Sequence, residues 1–391
     1  MSYIGSKPAD AVLETDDIAD NVITSAKIVD GTITTADLSF TPVSNPFRNI
    51  IINGDMSIAQ RGTSTASVTG DGYNTVDRFI NEMNTAGTWT QSQSTDVPTG
   101  QGFATSLKYD CTTANASLSA GSFGFLSQRF EGQNLQYLKY GTSSAESLTL
   151  SFWVKSNKTG TYIVEMVSFA TTKSQSQSYT ISSADTWEKK TLTFTGDTAT
   201  AIANSNARSF NLNFWLVAGT TYTSGTLNTS YNTTTNANRA VGQVNLADST
   251  SNEWYITGVQ LEAGTSASDF EFLPYDVNLM RCERYCSTLA SGLQSLGIGF
   301  QNATDSMYFP QKLKQTMRAT PSLNQVTGTN YYSFDKGTGT DNFNSITLVG
   351  AYSNERYIEL ANVTDISGTA GDSGFIRATN SSVLVLLEAE L

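Results

Sequence analysis

The chain has no histidine, three cysteines and seven prolines in 391 residues, and charged residues make up only 15% of it. Without histidine, Ser-His and Cys-His nucleophilic systems within one chain are excluded, as are the common histidine-based metal sites. Cys111, Cys282 and Cys286 form no even framework, so disulfides do not hold this protein together. Cys282 and Cys286 alone are too few for a structural zinc site and read as small apolar residues in a helix seam. No segment approaches the run of about 18 apolar residues that spans a bilayer, so membrane insertion is not expected. The opening MSYIGSKPAD lacks the charged-then-apolar pattern of a signal peptide. Synthesis in the cytoplasm is the expectation, with lysis as one route out if the protein acts outside a cell. With 23 basic against 35 acidic residues, a net charge of −12 and no basic cluster, a nucleic-acid partner is not expected either.

What is present is 39% hydrophobic and 10% aromatic residues, enough for real cores in two or three domains. Ser, Thr, Asn, Gln and Gly take the place of charge, a balance suited to hydrated β-rich surfaces such as those of adhesins and virion proteins. The first forty residues differ from the rest. A ten-residue repeat reads PADAVLETDD, IADNVITSAK and IVDGTITTAD over 8–37. Leu13, Ile18, Ile23, Ile28, Ile33 and Leu38 place an apolar residue at every fifth position, a period that belongs to neither helix nor strand. Short extended rungs joined by turns would leave an unburied apolar edge, which winding identical chains together would cover. A disordered Asp/Thr-rich arm with chance periodicity is the alternative.

Pro42 and Pro46 end the repeat. Beyond them, strands are expected at 49–52, 106–109, 147–155, 160–168, 178–181, 188–194, 209–217 and 253–261, a count and spacing that suit a two-sheet sandwich. Leu148, Leu150, Phe152 and Val154 share one strand face and Phe210, Leu212, Phe214 and Leu216 another, giving the core. Tyr275, Leu279, Cys282, Cys286 and Leu289 then form a heptad stripe, and with Asp276 as N-cap they predict a helix over 276–290. It would seat on the sandwich or meet its copies on a symmetry axis. Strands return at 306–309, 345–351, 357–360 and 383–388.

Several of these segments carry a resemblance. NIIINGDMSIAQRG (49–62), TVDRF (75–79), LTLSFWVKS (148–156), TWEKKTLTFTGDT (186–198), ITGVQLEAG (256–264) and FEFLPY (270–275) are similar to the jelly-roll domain of tail-fibre proteins of tailed bacteriophages. LMRCERYC (279–286) is similar to the helical segment just C-terminal to that domain in the same proteins, and the decade repeat resembles virion-proximal arms of short-tailed marine phages. MRATPSL (317–323) and EAEL (388–391) are weaker echoes of their distal domains. The resemblance implies a mainly β homotrimer: a virion-anchoring repeat arm over 1–44, a jelly-roll β-sandwich over 45–276, a linking helix over 277–290 and a distal β domain over 291–391 as receptor-contacting tip. It implies as partners tail proteins of adaptor or nozzle type and a host surface glycan or outer-membrane receptor, with the chain residing in the virion.

Such jelly rolls are related in shape to carbohydrate-binding modules, many of which hold a structural calcium near the first and last strands. Asn53 and Asp55 are the candidate ligands, but Tyr255-Ile256-Thr257-Gly258 offers no aspartate, and two residues fall short of the roughly six to eight oxygens that calcium takes. For glycan binding, Trp153 lies opposite the core set of its strand, and Trp215, with Asn211 and Asn213, lies opposite the other. An aromatic face beside amides suits a sugar, whose C–H faces stack and whose hydroxyls need partners; burial of that face by a loop or a neighbouring subunit is the competing reading. Tyr331, Tyr332 and Phe334, in the Gly/Asn-rich stretch 328–344, are the candidate receptor loop. Gly371-Asp372-Ser373-Gly374 looks like a serine-protease nucleophile string, but with no base the serine is a weak nucleophile, and a polar turn is expected. No catalysis is expected. The competing classes are a polysaccharide depolymerase built on paired carboxylates and a purely structural virion spacer.

Overall fold

The structure, a computed structural model, describes residues 47–169 and 172–391. The six apolar positions of the repeat, Leu13 to Leu38, lie outside the described residues. Two six-stranded antiparallel sheets form the first domain. Their strands are β1 (Ser64–Val68), β2 (Phe79–Asn84), β3 (Thr88–Ser94), β4 (Ser106–Thr113), β5 (Phe123–Glu131), β6 (Leu148–Ser156), β7 (Gly160–Ser168), β8 (Lys173–Ile181), β9 (Glu188–Phe194), β10 (Arg208–Ala218), β11 (Asn232–Thr233) and β12 (Glu253–Ala263), with a one-turn helix α1 (Thr220–Thr223) after β10. The first sheet runs β1-β3-β4-β12-β6-β9 and the second β11-β8-β7-β10-β5-β2. From β4 to β12 the chain passes repeatedly from one sheet to the other, as in a jelly roll.

Alternation along β6 and β10 sends the two anticipated apolar sets into one core. Phe152 meets Phe214 of the opposing sheet edge-on at 5.2 Å and Tyr179 at 5.1 Å, geometries that aromatic quadrupoles favour. Residues 49–52 do not form the expected strand, although Ile50 N–H donates to Leu261 C=O at 2.8 Å. Strand β12 carries a bulge between Thr257 and Gln260. There Gly258 adopts φ 62°, and a Cβ would stand 2.6 Å from the Phe103 ring, so the position has no room for a side chain.

The helix is shorter than the heptad stripe suggests. Helix α2 spans Tyr275–Glu283, Pro274 rather than Asp276 is its N-cap, and Cys286 already belongs to β13 (Cys286–Ser291). Tyr275 is exposed, and the stripe joined the buried helix residue Cys282 to strand residues that happened to continue its spacing. The helix docks through Asn278, which accepts from Asn53 N–H at 3.2 Å and donates to Asp55 Oδ1 at 3.0 Å and Ser57 Oγ at 3.1 Å.

The second domain adds β14 (Gln294–Ala303), β15 (Ser306–Lys312), β16 (Ser322–Gln325), β17 (Tyr332–Lys336), β18 (Gly339–Phe343), β19 (Thr347–Leu348), β20 (Tyr357–Asn362), β21 (Ser373–Ala378) and β22 (Leu384–Glu388). A seven-stranded sheet, β18-β17-β21-β14-β15-β20-β19, packs on the three-stranded β13-β22-β16. Met307, Phe309, Phe334 and Ile376 from the large sheet share a core with Val385 and Leu387 from the small one.

Both β domains belong to one compact unit, Arg48–Leu391. The segment after β22 returns to the first domain. Arg61 pairs with Glu388, the last residue of β22, at 2.9 Å and with Glu390 at 3.2 Å, and Arg78 pairs with Glu390, while Arg318 of the second domain itself donates to the carbonyls of Ala389 and Glu390 at 2.7 Å. Arg78 also lies 3.5 Å from the Tyr285 ring centroid, and Arg284 grips the buried carboxylate of Glu131 through two donors at 2.7 and 2.6 Å. Among the described residues no helix is long and apolar enough to cross a membrane.

Candidate functional site

The face of the second sheet turned away from the core holds a solvent-open cavity of about 270 Å³. That is close to the lower end of the range for small-ligand pockets, about 300–1,000 Å³. Strand alternation supplies its floor: Asn211, Asn213 and Trp215 from β10, Phe123 and Phe125 from β5, and Glu165 and Val167 from β7 all point to this side. The excursion 219–245 between β10 and β12 folds back over one end and brings Tyr222 and Arg239. Ala240 N–H donates to Tyr222 C=O at 2.9 Å, and Gly225 N–H to Ala237 C=O at 2.8 Å, which pins the excursion into a hairpin-like flap.

Four rings pack together here, Tyr222 from the flap and three from the sheet. Phe125 and Trp215 lie 5.0 Å apart, Trp215 and Tyr222 5.4 Å, and Phe123 stands 5.7 Å from both Phe125 and Tyr222. Trp215 is completely buried, so it carries the floor and offers no ring face to a ligand. Phe123, Tyr222 and the exposed Phe169 are the rings that reach the opening. The expectation that Trp215 itself is the stacking surface is therefore corrected: the 219–245 excursion covers it. Asn211 and Asn213 are brought to the cavity, as their alternation with the core set requires, and both are nearly fully buried.

A polar network sets the remaining chemistry. The carboxylate of Glu165, wholly buried, accepts from Arg239 Nε at 2.7 Å and Nη2 at 2.8 Å, and from Asn213 Nδ2 and Trp215 Nε1 at 3.2 Å each. Burial depresses the Arg239 pKa, but the adjoining Glu165 carboxylate outweighs it and the net shift is upward. Ser127 Oγ donates to Asn213 Oδ1 at 2.8 Å. At the other wall, Arg129 pairs with Glu82 at 2.9 Å, and Arg208 donates from Nε to Asn211 Oδ1 at 2.8 Å.

The other anticipated residues fall elsewhere. Trp153 is half-buried on the outer face of the first sheet, between Lys189 and Thr257, on the opposite side of the sandwich from Trp215. The two tryptophans therefore cannot share one ligand. Tyr332 and Phe334 are fully buried in the core of the second domain and Tyr331 packs against it, because 328–344 is built around the β17–β18 hairpin and is not a free loop. The receptor-loop expectation is corrected accordingly. Ser373 opens β21 after a turn in which Gly371 N–H donates to Gln301 C=O.

Asn53 has its side chain fully engaged: it donates to the carbonyls of Ile58 and Asp77 at 2.9 and 3.0 Å and accepts from Ile58 N–H at 2.9 Å. Asp55 accepts from Ser57 Oγ and Asn278 Nδ2 at the same oxygen, Oδ1, and so helps to fasten α2. Among the described residues no group of three or more His, Cys, Asp or Glu is placed to hold a metal. The three cysteines are buried and unbridged, and burial pushes the thiols of Cys282 and Cys286 up, away from the reactive thiolate.

No family model matches the chain, and no curated protein matches it. Among solved structures it is similar to the enzymatically active domain of tailspike protein 4 of bacteriophage CBA120, at 15% identity and a TM-score of 0.29, over 56% of this chain and 22% of that one. It is also similar to a candidate sugar-binding protein of Bacteroides thetaiotaomicron VPI-5482, at 13% identity and 0.30, over 55% and 99% of the two chains. A third is TmCBM61 in complex with β-1,4-galactotriose, at 10% identity and 0.23, over 55% and 99%. At these TM-scores the likenesses carry no functional weight, which falls to the chemistry of the cavity.

Proposed function

We propose that the chain binds a cell-surface saccharide in the cavity of the second sheet. The observation that carries this is the pairing of solvent-reaching rings, Phe123, Tyr222 and Phe169, with the guanidinium groups of Arg208 and Arg239, held in place over the buried amides Asn211 and Asn213, in one open cavity. A pyranose needs both: an aromatic face for its C–H surface and donors for its hydroxyls. The wider role that we infer is a phage tail fibre, in which 1–44 engages the tail and winds three copies together while the β domains meet the host. The motifs that resemble tail fibres, and the five-residue apolar spacing from Leu13 to Leu38, support it. Single-site weakness would then be acceptable, since linked sites gain roughly 10²–10⁴ in avidity.

The reading is binding without cleavage. Both oxygens of Glu165 accept guanidinium N–H groups from Arg239 and one oxygen of Glu82 accepts from Arg129, so the cavity does not offer the pair of free carboxylates that glycoside cleavage uses. Titration of the full chain with purified surface polysaccharides, and the polymer length after prolonged incubation, test this together. Saturable binding with constant polymer length is expected; shortening of the polymer would favour the depolymerase. Mass in solution tests the assembly: three chains are expected, and a stable 42.1 kDa particle would remove the fibre role.

A further inference from the structure

The charges around the cavity do not cancel. Arg239 has Glu165 to itself, through two donors at 2.7 and 2.8 Å. Arg129 takes Glu82 at 2.9 Å, and Arg208 stands 3.8 Å from that same carboxylate oxygen, outside hydrogen-bonding distance. Among the described residues no other carboxylate pairs with Arg208. Three guanidinium groups thus share two side-chain carboxylates, with Arg129 also donating to Leu391 O, in a chain whose net charge is −12.

Arg208 is also held still. Its Nε donates to Asn211 Oδ1 at 2.8 Å, and the guanidinium carbon lies 3.6 Å from the centroid of Phe169. The side chain is a quarter exposed, at the rim of the cavity. A guanidinium oriented before its ligand arrives loses little freedom on binding, and its planar fork matches two oxygens of one anionic group.

We propose that the cavity selects saccharides bearing an acidic substituent, and that Arg208 is the residue that receives the anion. This rests on the saccharide-binding reading and narrows it. Burial and the neighbouring Arg129 bring the Arg208 pKa down to about 10, against Glu82 which raises it, so a further negative group would stabilise the guanidinium charge. The acidic field of the whole chain opposes a distant polyanion, so the attraction acts at short range. A uronic-acid carboxylate and a sulfate ester present the same fork of oxygens, and either could fill the role.

The test is calorimetric titration of the full chain with matched oligosaccharides from an array: uronic-acid oligomers, the same oligomers after carboxyl reduction, and sulfated counterparts. At least one acidic member should bind about tenfold or more tighter than its neutral match, a ratio equivalent to about 1.4 kcal/mol. The carboxylated and sulfated arms show which anion is read. Raising salt on the wild-type chain should erode the acidic arm more than the neutral one, a reading that needs no variant. In Arg208→Gln the acid-to-neutral ratio should fall to about one by the same measure. Equal binding of acidic and neutral members, or a preference that survives Arg208→Gln, overturns the selection by Arg208 while leaving saccharide binding in place. Binding of no member of the array overturns both.

Discussion

The second sheet of the sandwich and the seven-stranded sheet of the distal domain each turn one face away from their own core, and the two faces are built differently. On the first, an excursion folds back, buries Trp215 and holds a charge network over the strands. On the second, no segment folds back among the described residues. Ile298 is 66% exposed, Phe375 51% and Phe300 46%, with Ile298 directly beside Phe375 across the β14–β21 pair and Phe300 stacked at 6.1 Å on Tyr308. Covering a sheet face with a tethered segment converts apolar strand residues into the floor of a cavity; leaving it bare produces a patch of apolar side chains without a shaped recess. The first arrangement can discriminate among small polar ligands, whereas the second offers area alone.

The contrast can be broken most forcefully at the floor. Arg239→Leu strands Glu165 in a buried site with only amide and indole donors, and should lower unfolding stability by roughly 3–5 kcal/mol. The pairing of Arg239→Leu with Glu165→Met should recover most of that loss in urea titrations. If the single variant melts like the parent, the network is not what secures the flap.

A second effect lies beside the seam between the domains. Burial lifts the Asp77 carboxyl from 3.8 to about 6, against Arg61 and two hydrogen bonds from Gln60 that pull it down, with Glu390 adding to the rise. A carboxyl with the higher pKa in the folded chain holds its proton more tightly there. Its contribution to stability is therefore complete below 3.8, is lost as pH climbs to about 6, and changes no further above. The stability difference between wild type and Asp77→Asn should shift across that window by an amount on the order of 2–3 kcal/mol. A difference that is flat with pH would show that Asp77 is not titrating as its burial requires.

At the rim of the cavity, Phe123→Ala and Tyr222→Ala should each weaken saccharide binding by about tenfold, or about 1.4 kcal/mol. Titration of both variants with one ligand checks it; affinities equal to wild type would move the site elsewhere. The smallest effect belongs to the bare face. Ile298→Thr and Phe375→Ser should alter stability by no more than about 0.5 kcal/mol, as surface substitutions usually do. A larger loss in a concentration-dependent melt would reveal that the bare face is covered when chains assemble.

Much of the architecture was legible because alternation is a strong signal. Strands β7 and β9 match the expected 160–168 and 188–194, and the core sets of β6 and β10 are as their spacing required. The side of β10 that bears the cavity was legible for the same reason, through Asn211 and Asn213. What alternation cannot convey is what comes to lie on top. Trp215 reads as a platform until a segment beginning four residues later covers it. Phe123 and Phe125 were missed although FGFLSQRFE alternates, and with them the partner strand that supplies the exposed rings. Arg208 and Glu82 come from strands separated by more than a hundred residues, so no local pattern announces their shared charge. In the distal domain, Tyr332 and Phe334 sit among Gly and Asn residues that suggested a loop, and a tight hairpin turned them inward instead.

The grip of Arg61 and Arg78 on Glu388 and Glu390 has a mechanical meaning. The distal domain leaves the sandwich through α2 and β13 and is fastened to it a second time where its final strand comes home. A body attached by one strand swivels, while a body attached at both its departure and its return resists twist. Load on the outer strands would therefore bear on two seams in place of one.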